Sequence, residues 1–271
     1  MTTDVEWEKW GARDPYFSVL TDPKFRANAL TEEGREEFFA LGRHHVDHVL
    51  GVCRAHIDSA FMPQRVLDFG CGVGRLVLPF AAQAAEVVGV DISPSMLAEA
   101  QRNCERQGLN NVVLALSDDA LSAVQGQFDL VHTCIVIQHI EIDRGLKLFE
   151  QLLRRIKPGG LGAVHVTFAW DHHTENHGVA PILPPPLTQP WWLVLRRALG
   201  NWLRTPTIPA PAQPADPEMQ MNFYNMSQLL FVLQRAGASM VHIQLTDHGG
   251  AIGGFMFFRA SGPQDAKPDQ G

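Results

Sequence analysis

The chain has 271 residues, 45% of them hydrophobic, with a formal net charge of −7. That is enough apolar material for one α/β domain with additions. With 22 basic against 29 acidic residues and no Lys/Arg-rich run, it lacks the basic stripe that binding to nucleic-acid phosphates demands, which argues against DNA or RNA as partners. Cys53, Cys71, Cys104 and Cys134 form no CxxC pair, and neither an apolar leader nor a bilayer-length apolar run is present. A cytoplasmic setting with reduced core thiols is expected.

In chain order, residues 1–62 read as an aromatic and helical cap. Trp7, Trp10, Tyr16, Phe17 and Phe25 lie among charges, as in a segment that packs on something. Thr31 followed by Glu32 and Glu33 marks a helix start, and Phe38, Leu41, His45, Val49, Cys53 and Ile57 recur at helical spacing to about Ala60. Residues 63–168 alternate apolar runs with helical patterns. Strands are expected at 65–69, 86–90, 111–116, 128–133 and 161–168, with helices at about 74–84, 94–107 and 143–156. Near-continuous Val/Leu/Ile runs fit strands covered on both faces, and strand–helix alternation implies a parallel sheet with right-handed crossovers.

Residues 169–221 break this rhythm: ten of the 18 prolines fall between Pro181 and Pro217, which marks an insertion. One helix is expected in it, at 191–204, with Trp191, Leu195 and Trp202 on one face; it reads as a substrate lid in preference to a membrane-surface helix. His172, His173 and His177 cluster in WDHHTENH but lack a carboxylate or cysteine at metal-ligand spacing, so no metal is expected. Residues 222–260 supply a helix (226–238) and an antiparallel hairpin (239–246 and 252–260) that complete the sheet; residues 261–271 are a polar tail.

The chemistry concentrates in VLDFGCGVGRL, residues 66–76, at the first strand-to-helix junction. Gly70, Gly72 and Gly74 allow a tight turn with close backbone approach to a ligand, next to the free N–H groups of a helix start. The dinucleotide fingerprint is G-x-G-x-x-G; here the third glycine falls one position early and Arg75 stands in its place. Asp68, two residues before Gly70, suits an ammonium group, for which a nicotinamide pyrophosphate has no use. Asp91 ends the second strand, where a carboxylate accepts both hydroxyls of a ribose. Asp118 follows the third strand and faces an adenine amino group in this scheme, with Asp119 as the competing candidate.

These motifs, with FDLVHTCIVIQHI and LLRRIKPGG, together resemble class I S-adenosylmethionine-dependent methyltransferases of the small-molecule branch. The resemblance is strong over residues 64–168 and looser over 222–260. It implies a Rossmann-like seven-stranded sheet of order 3-2-1-4-5-7-6 with strand 7 antiparallel. It also implies that S-adenosylmethionine is the cofactor and S-adenosylhomocysteine the product, with Asp68 and the turn bearing Gly70, Cys71, Gly72 and Gly74 at the methionine end. Asp91 would hold the ribose, Ile92 and Met96 flank the adenine, Asp118 bind it, and segment 133–138, including Cys134 and Gln138, line the sulfonium pocket. The implied activity is methyl transfer to an O or N atom of a small molecule or glycan. The rivals are an enzyme that uses the cofactor without methyl transfer and a nicotinamide-dependent oxidoreductase.

Methyl transfer needs in-line alignment and, for some acceptors, removal of a proton. His139, after the fourth strand, is the candidate general base, since strand C-terminal ends face the ligand crevice and imidazole titrates near neutrality. Tyr16 is a candidate lid residue. His248, in the hairpin turn TDHGG, reaches the site only if that loop folds over the crevice.

Overall fold

The computed structural model describes residues 3–170 and 215–261. One compact unit comprises residues 1–169 and 217–271, and a second comprises 170–216. The helix expected at 191–204, the His172/His173/His177 cluster, most of the proline-rich insertion and the tail beyond Ser261 lie outside the described residues.

The N-terminal segment forms α1 (Thr3–Arg13) and α2 (Pro15–Val19), followed by a 3₁₀ turn, Pro23–Phe25. Trp10, Tyr16 and Phe25 are buried. Then α3 (Glu32–Val52) starts at Thr31, whose hydroxyl accepts from Gly34 N, and closes in a π-helical turn, Cys53–Ile57. Of the apolar stripe read from the sequence, Phe38, Val49, Cys53 and Ile57 are buried, whereas Leu41 is exposed; Val46 and Leu50 complete the buried face.

The core is β1 (Arg65–Phe69), α4 (Val77–Ala81), β2 (Glu86–Asp91), α5 (Pro94–Arg106), β3 (Val112–Leu116), β4 (Phe128–Thr133), α6 (Ile142–Arg154) and β5 (Ile156–Trp170), completed by α7 (Met226–Arg235), β6 (Ser239–His248) and β7 (Ala251–Arg259). The sheet has seven strands in the order β3-β2-β1-β4-β5-β7-β6. β1 to β5 pair in parallel, and β7 is the antiparallel strand, hydrogen-bonded to β6 from Ser239↔Arg259 to His248↔Ala251. This is the Rossmann-like order that the sequence implies. One face of the sheet packs Val66, Leu130, Ala163 and Phe255 under α3 and α4. The other packs Leu67, Val131, Val164 and Phe258 with α6 and α7.

Two elements differ from the sequence expectation. Helix α4 spans five residues where 74–84 was expected, because the glycine-rich turn continues as far as Leu76 before regular helix begins. β5 starts at Ile156, earlier than expected, since residues 157–160 enter the strand across a register shift between Phe128 and Leu130. Gly159 N donates to Ala260 O, and Ala260 N to Gly160 O, so this Pro-Gly-Gly stretch is held by β7's end.

One contact ties α3 to the glycine-rich turn. Gly42, in the middle of α3, lies so close to Arg75 that a Cβ there would overlap the Arg75 carbonyl oxygen. Alanine favours a helix interior over glycine by about 1 kcal/mol, but overpacking against rigid backbone costs about 1–3 kcal/mol. The second effect wins because a carbonyl, unlike a side-chain tip, has nowhere to turn. Gly42→Ala is therefore expected to lower the thermal midpoint by about 2–6 °C, read by calorimetry; a rise would mean that α3 moves freely against the turn.

Candidate active site

β1 and β2 end side by side, with Asp68 paired in register to Gly89 and Phe69 to Val90. The turn after β1 is anchored by Gly70 N and Cys71 N, which both donate to Val90 O. Gly70 (φ 73°), Gly72 (φ 52°) and Gly74 (φ 85°) all occupy the left-handed region, where a side chain is strained. At Gly70 a Cβ would also overlap the Val136 side chain. Gly74 faces Leu78 and Ala100, so it serves the packing of α4 and α5 rather than the cleft.

A cleft opens above these strand ends, in two connected halves. The first is lined by Phe69, Gly70, Asp91, Ile92, Ser117, Asp118, Asp119, Ile135, Val136 and His139. The second is lined by Asp68, Gly70, Cys71, Gly72, Arg75, Met96, Cys134 and again Asp91, Val136 and His139. Trp7 of α1 lines both. Ile135, a β-branched residue at φ 58°, sits in a conformation that such residues rarely adopt, as is common where a loop is shaped by a site.

The carboxylates of this cleft are held by different partners. Asp91 Oδ2 accepts from Gly72 N at 2.8 Å and Oδ1 from Ser93 N at 2.9 Å. Burial raises its pKa to about 6, against the lowering effect of those backbone donors. Asp68 is buried; its Oδ1 meets His132 Nδ1 at 2.8 Å while Oδ2 has no partner among the described residues. Arg75, at the position of the displaced third glycine, is also buried, and its Nε lacks a partner among the described residues. Desolvation holds its guanidinium below its ordinary pKa. A cation and an anion, each with an unmet hydrogen-bonding atom, thus line the same half of the cleft. Buried unmet polar atoms are costly, and such groups mark places where a ligand completes the structure.

His139 lies in the 3₁₀ turn Ile137–His139 after β4. Its Nδ1 bonds the Gln220 carbonyl at 2.8 Å, so Nδ1 carries the proton and Nε2 is left as the acceptor in the neutral ring. Burial pulls its pKa down, opposed by that carbonyl. The Trp7 ring packs edge-on against it at 4.9 Å. The segment after the insertion braces this loop: Asn222 Nδ2 donates to Gln138 O and Ile140 O, and Tyr224 Oη to Ile137 O and Ile140 O.

The cleft gathers Asp68, Gly70, Cys71, Gly72, Asp91, Ile92, Met96, Asp118, Asp119, Cys134 and His139. Ile92 lines the first half and Met96 the second, on either side of the shared Asp91. Asp118 spends Oδ1 on Ala120 N and Ser122 N, and Asp119 pairs with Arg144, which also grips Asp4 of α1. Gln138 does not line the cleft; the 3₁₀ turn buries it, with Nε2 on Met221 Sδ. Tyr16 does not line it either. Its hydroxyl is buried against Glu99 (2.6 Å) and Asn103 (3.0 Å) of α5, and burial pushes its pKa up to about 12. Cover from the N-terminal segment comes instead from Thr3, Asp4, Trp7, Ser18 and Val19. His248 is exposed at the end of β6, its ring 4.9 Å from His165, and lies outside the cleft lining. Val136, within the expected segment 133–138, lines both halves, while Trp7 and Arg75 are site residues to which the motif reading gives no role. No cluster suited to a metal ion occurs among the described residues, and no described helix is long and apolar enough to cross a membrane.

Residues 66–160 match the methyltransferase domain family. A ubiquinone biosynthesis O-methyltransferase of Cereibacter sphaeroides is 35% identical over 97 residues, 36% of this chain and 38% of that protein. The chain thus spans less than half the length of the curated relatives it matches. Among solved structures, a magnesium protoporphyrin IX methyltransferase from Synechocystis with bound S-adenosylmethionine aligns at TM-score 0.57 and 16% identity, covering 96% of this chain and 98% of that one. An N-methyltransferase from Bradyrhizobium japonicum in complex with S-adenosylhomocysteine aligns at 0.54 and 13% identity, covering 96% and 99%. At these identities the two structures report the fold.

The pKa of folded Asp91, about 6, lies above the 3.8 of an ordinary aspartate. Folding then favours its protonated form, so its contribution to stability is full below 3.8 and is lost as pH rises through about 6. Thermal midpoints recorded from about pH 4 to about pH 7 should show wild type losing ground to Asp91→Asn across that window. Parallel curves would show that the carboxylate titrates normally.

Proposed function

We propose that this chain, whose residues 66–160 match the methyltransferase domain family, binds S-adenosylmethionine in the cleft and transfers its methyl group to an O or N atom of a small molecule or glycan. The observation that carries this reading is the pair of buried atoms without a hydrogen-bond partner among the described residues, Asp68 Oδ2 and Arg75 Nε, beside Asp91 at the end of β2. An α-amino acid joined to a ribose presents an ammonium, a carboxylate and a vicinal diol, and these three groups answer that pattern. The nicotinamide alternative fits poorly, since a pyrophosphate would face the carboxylates of Asp68 and Asp91.

In this reading Asp68 and Arg75 bind the two ends of the zwitterion and Asp91 accepts from the diol. Ile92, Phe69, Val136 and Leu148 wall the apolar half of the cleft with Asp118 at its rim. Bound cofactor supplies a methyl group already activated on a sulfonium. What remains for the protein is to exclude water, align the acceptor and, where the acceptor carries a proton, remove it. We assign that proton to His139 Nε2, because Gln220 sets its tautomer and burial, which lowers its pKa, keeps the ring neutral and able to accept. Trp7 and the α1 residues beside it shield the cleft from water.

Titration calorimetry with S-adenosylmethionine, S-adenosylhomocysteine and NADH tests the reading. Binding of the first two and none of NADH is expected, with Asp91→Ala weakening both by about 10–100-fold. Arg75→Met should weaken S-adenosylmethionine similarly but leave methylthioadenosine, which lacks the amino-acid end, unaffected. NADH binding, or no nucleoside binding at all, would overturn the proposal. Cofactor binding without S-adenosylhomocysteine release in any acceptor pool would favour use of the cofactor without methyl transfer.

A further inference from the structure

His132 occupies the middle of β4 with no exposure, at an inward position where the apolar pattern of the sheet calls for an aliphatic side chain. A buried imidazole is costly unless its nitrogens are bonded. Here both are. The parallel register sets His132 directly beside Asp68 of β1, and Nδ1 lies 2.8 Å from Oδ1. On the far side Nε2 lies 3.1 Å from Nε2 of His45, a half-buried residue of α3. Phe80 and Phe255 enclose the His132 ring, with centroids at 5.2 and 6.0 Å, and His45 stacks on Phe255 at 5.8 Å.

The chemistry of the donors allows few arrangements. A carboxylate oxygen offers no proton, so His132 Nδ1 carries one and donates to Asp68. With a single proton on the His132 ring, Nε2 is the acceptor and His45 Nε2 the donor across the 3.1 Å contact. Burial, with His132 and Arg75 nearby, pushes the His45 pKa down to about 2, so its ring is neutral and its remaining nitrogen is the acceptor. The chain of bonds runs one way, from α3 through β4 to β1, and ends on the carboxylate whose other oxygen is unmet in the cleft.

We propose that His132 and His45 are positioning residues for the cofactor's ammonium group: His45 fixes the tautomer of His132, and His132 fixes the rotation of the Asp68 carboxyl so that Oδ2 faces the cleft. This rests on the reading of the cleft as an S-adenosylmethionine site. Second-tier hydrogen bonds of this kind orient the groups that touch a ligand, and losing one costs about 10–100-fold in affinity where it has been measured at metal sites. The apolar rings around the relay leave Asp68 Oδ1 no other donor among the described residues.

The test separates the two nitrogens of His132. Asparagine places an amide nitrogen near the position of Nδ1, and glutamine near that of Nε2. His132→Asn thus keeps the bond to Asp68, and His132→Gln gives it up while still reaching His45. Calorimetric titration of the full chain with S-adenosylmethionine, alongside ligand-free thermal unfolding, should find His132→Gln about tenfold weaker and His132→Asn restored towards wild type, with similar thermal midpoints for the two. Equal affinities for the two variants would overturn the proposal and leave His132 as a purely structural group. Should His132→Gln fail to fold, His45→Leu on the half-exposed face of α3 carries the test: about threefold weaker binding is expected from a ring whose tautomer is no longer fixed, and unchanged affinity would overturn the relay. Wild-type protein and Asp68→Asn are titrated in parallel. If wild type takes up no S-adenosylmethionine, the cofactor reading itself fails; if Asp68→Asn loses binding while His132→Gln keeps it, the relay alone fails.

Discussion

Burying charge is the constraint on which this structure turns. Asp68, Asp91 and Arg75 all lie within or beside a tightly packed apolar core, where an isolated charge is too costly to keep. The local architecture follows from how each is accommodated. Asp91 is held by the backbone donors Gly72 N and Ser93 N, which requires the turn after β1 to fold back over the end of β2 and places glycine at left-handed positions. Asp68 requires a donor from the neighbouring strand, which His132 provides. Arg75 keeps an unmet nitrogen. The glycine-rich turn, the histidine in β4 and the shortened α4 are parts of one solution.

Around that centre, a second set of polar contacts binds the N-terminal segment to the domain. Glu8 of α1 accepts from Ser93 Oγ, Ser95 N and Ser95 Oγ at the start of α5, where an anion also meets the positive end of the helix. Arg144 bridges Asp4 and Asp119, and Tyr16 joins α2 to α5 through Glu99. These contacts hold Trp7 over the cleft through Asp4, Glu8 and Tyr16, which no glycine or acidic motif marks.

The sequence makes the sheet legible because its strands are runs of Val, Leu and Ile whose length and spacing admit few alternatives. Asp68, Gly70 and Asp91 are legible because their spacing is tied to a turn that only glycine builds. What escapes reading depends on tertiary context. Residues 157–160 look like a turn, yet β7 supplies partners that draw them into β5. Gln138 sits one residue from His139 but is turned into the core by a 3₁₀ turn, a rotation that no periodicity encodes. Tyr16 has the right residue type for a lid, but the carboxylate of Glu99, 83 positions away, captures its hydroxyl. Arg75 is visible only as a departure from another family's glycine spacing; its unmet nitrogen belongs to the fold and not to the motif.

The close approach of Gly42 to Arg75 has a consequence for the thermodynamics of ligand uptake. A loop that hangs free must be ordered when a ligand arrives, and each residue fixed costs about 1–2 kcal/mol of backbone entropy. Here the backbone at Arg75 is pressed against α3 from behind, with no side chain between them to act as a cushion, while Gly70 and Cys71 are clamped to β2 from the side. That entropy has already been lost during folding. A ligand meets a rigid cradle and keeps more of its contact energy as affinity, so the glycine that weakens α3 as a helix makes the turn in front of it a preorganised surface.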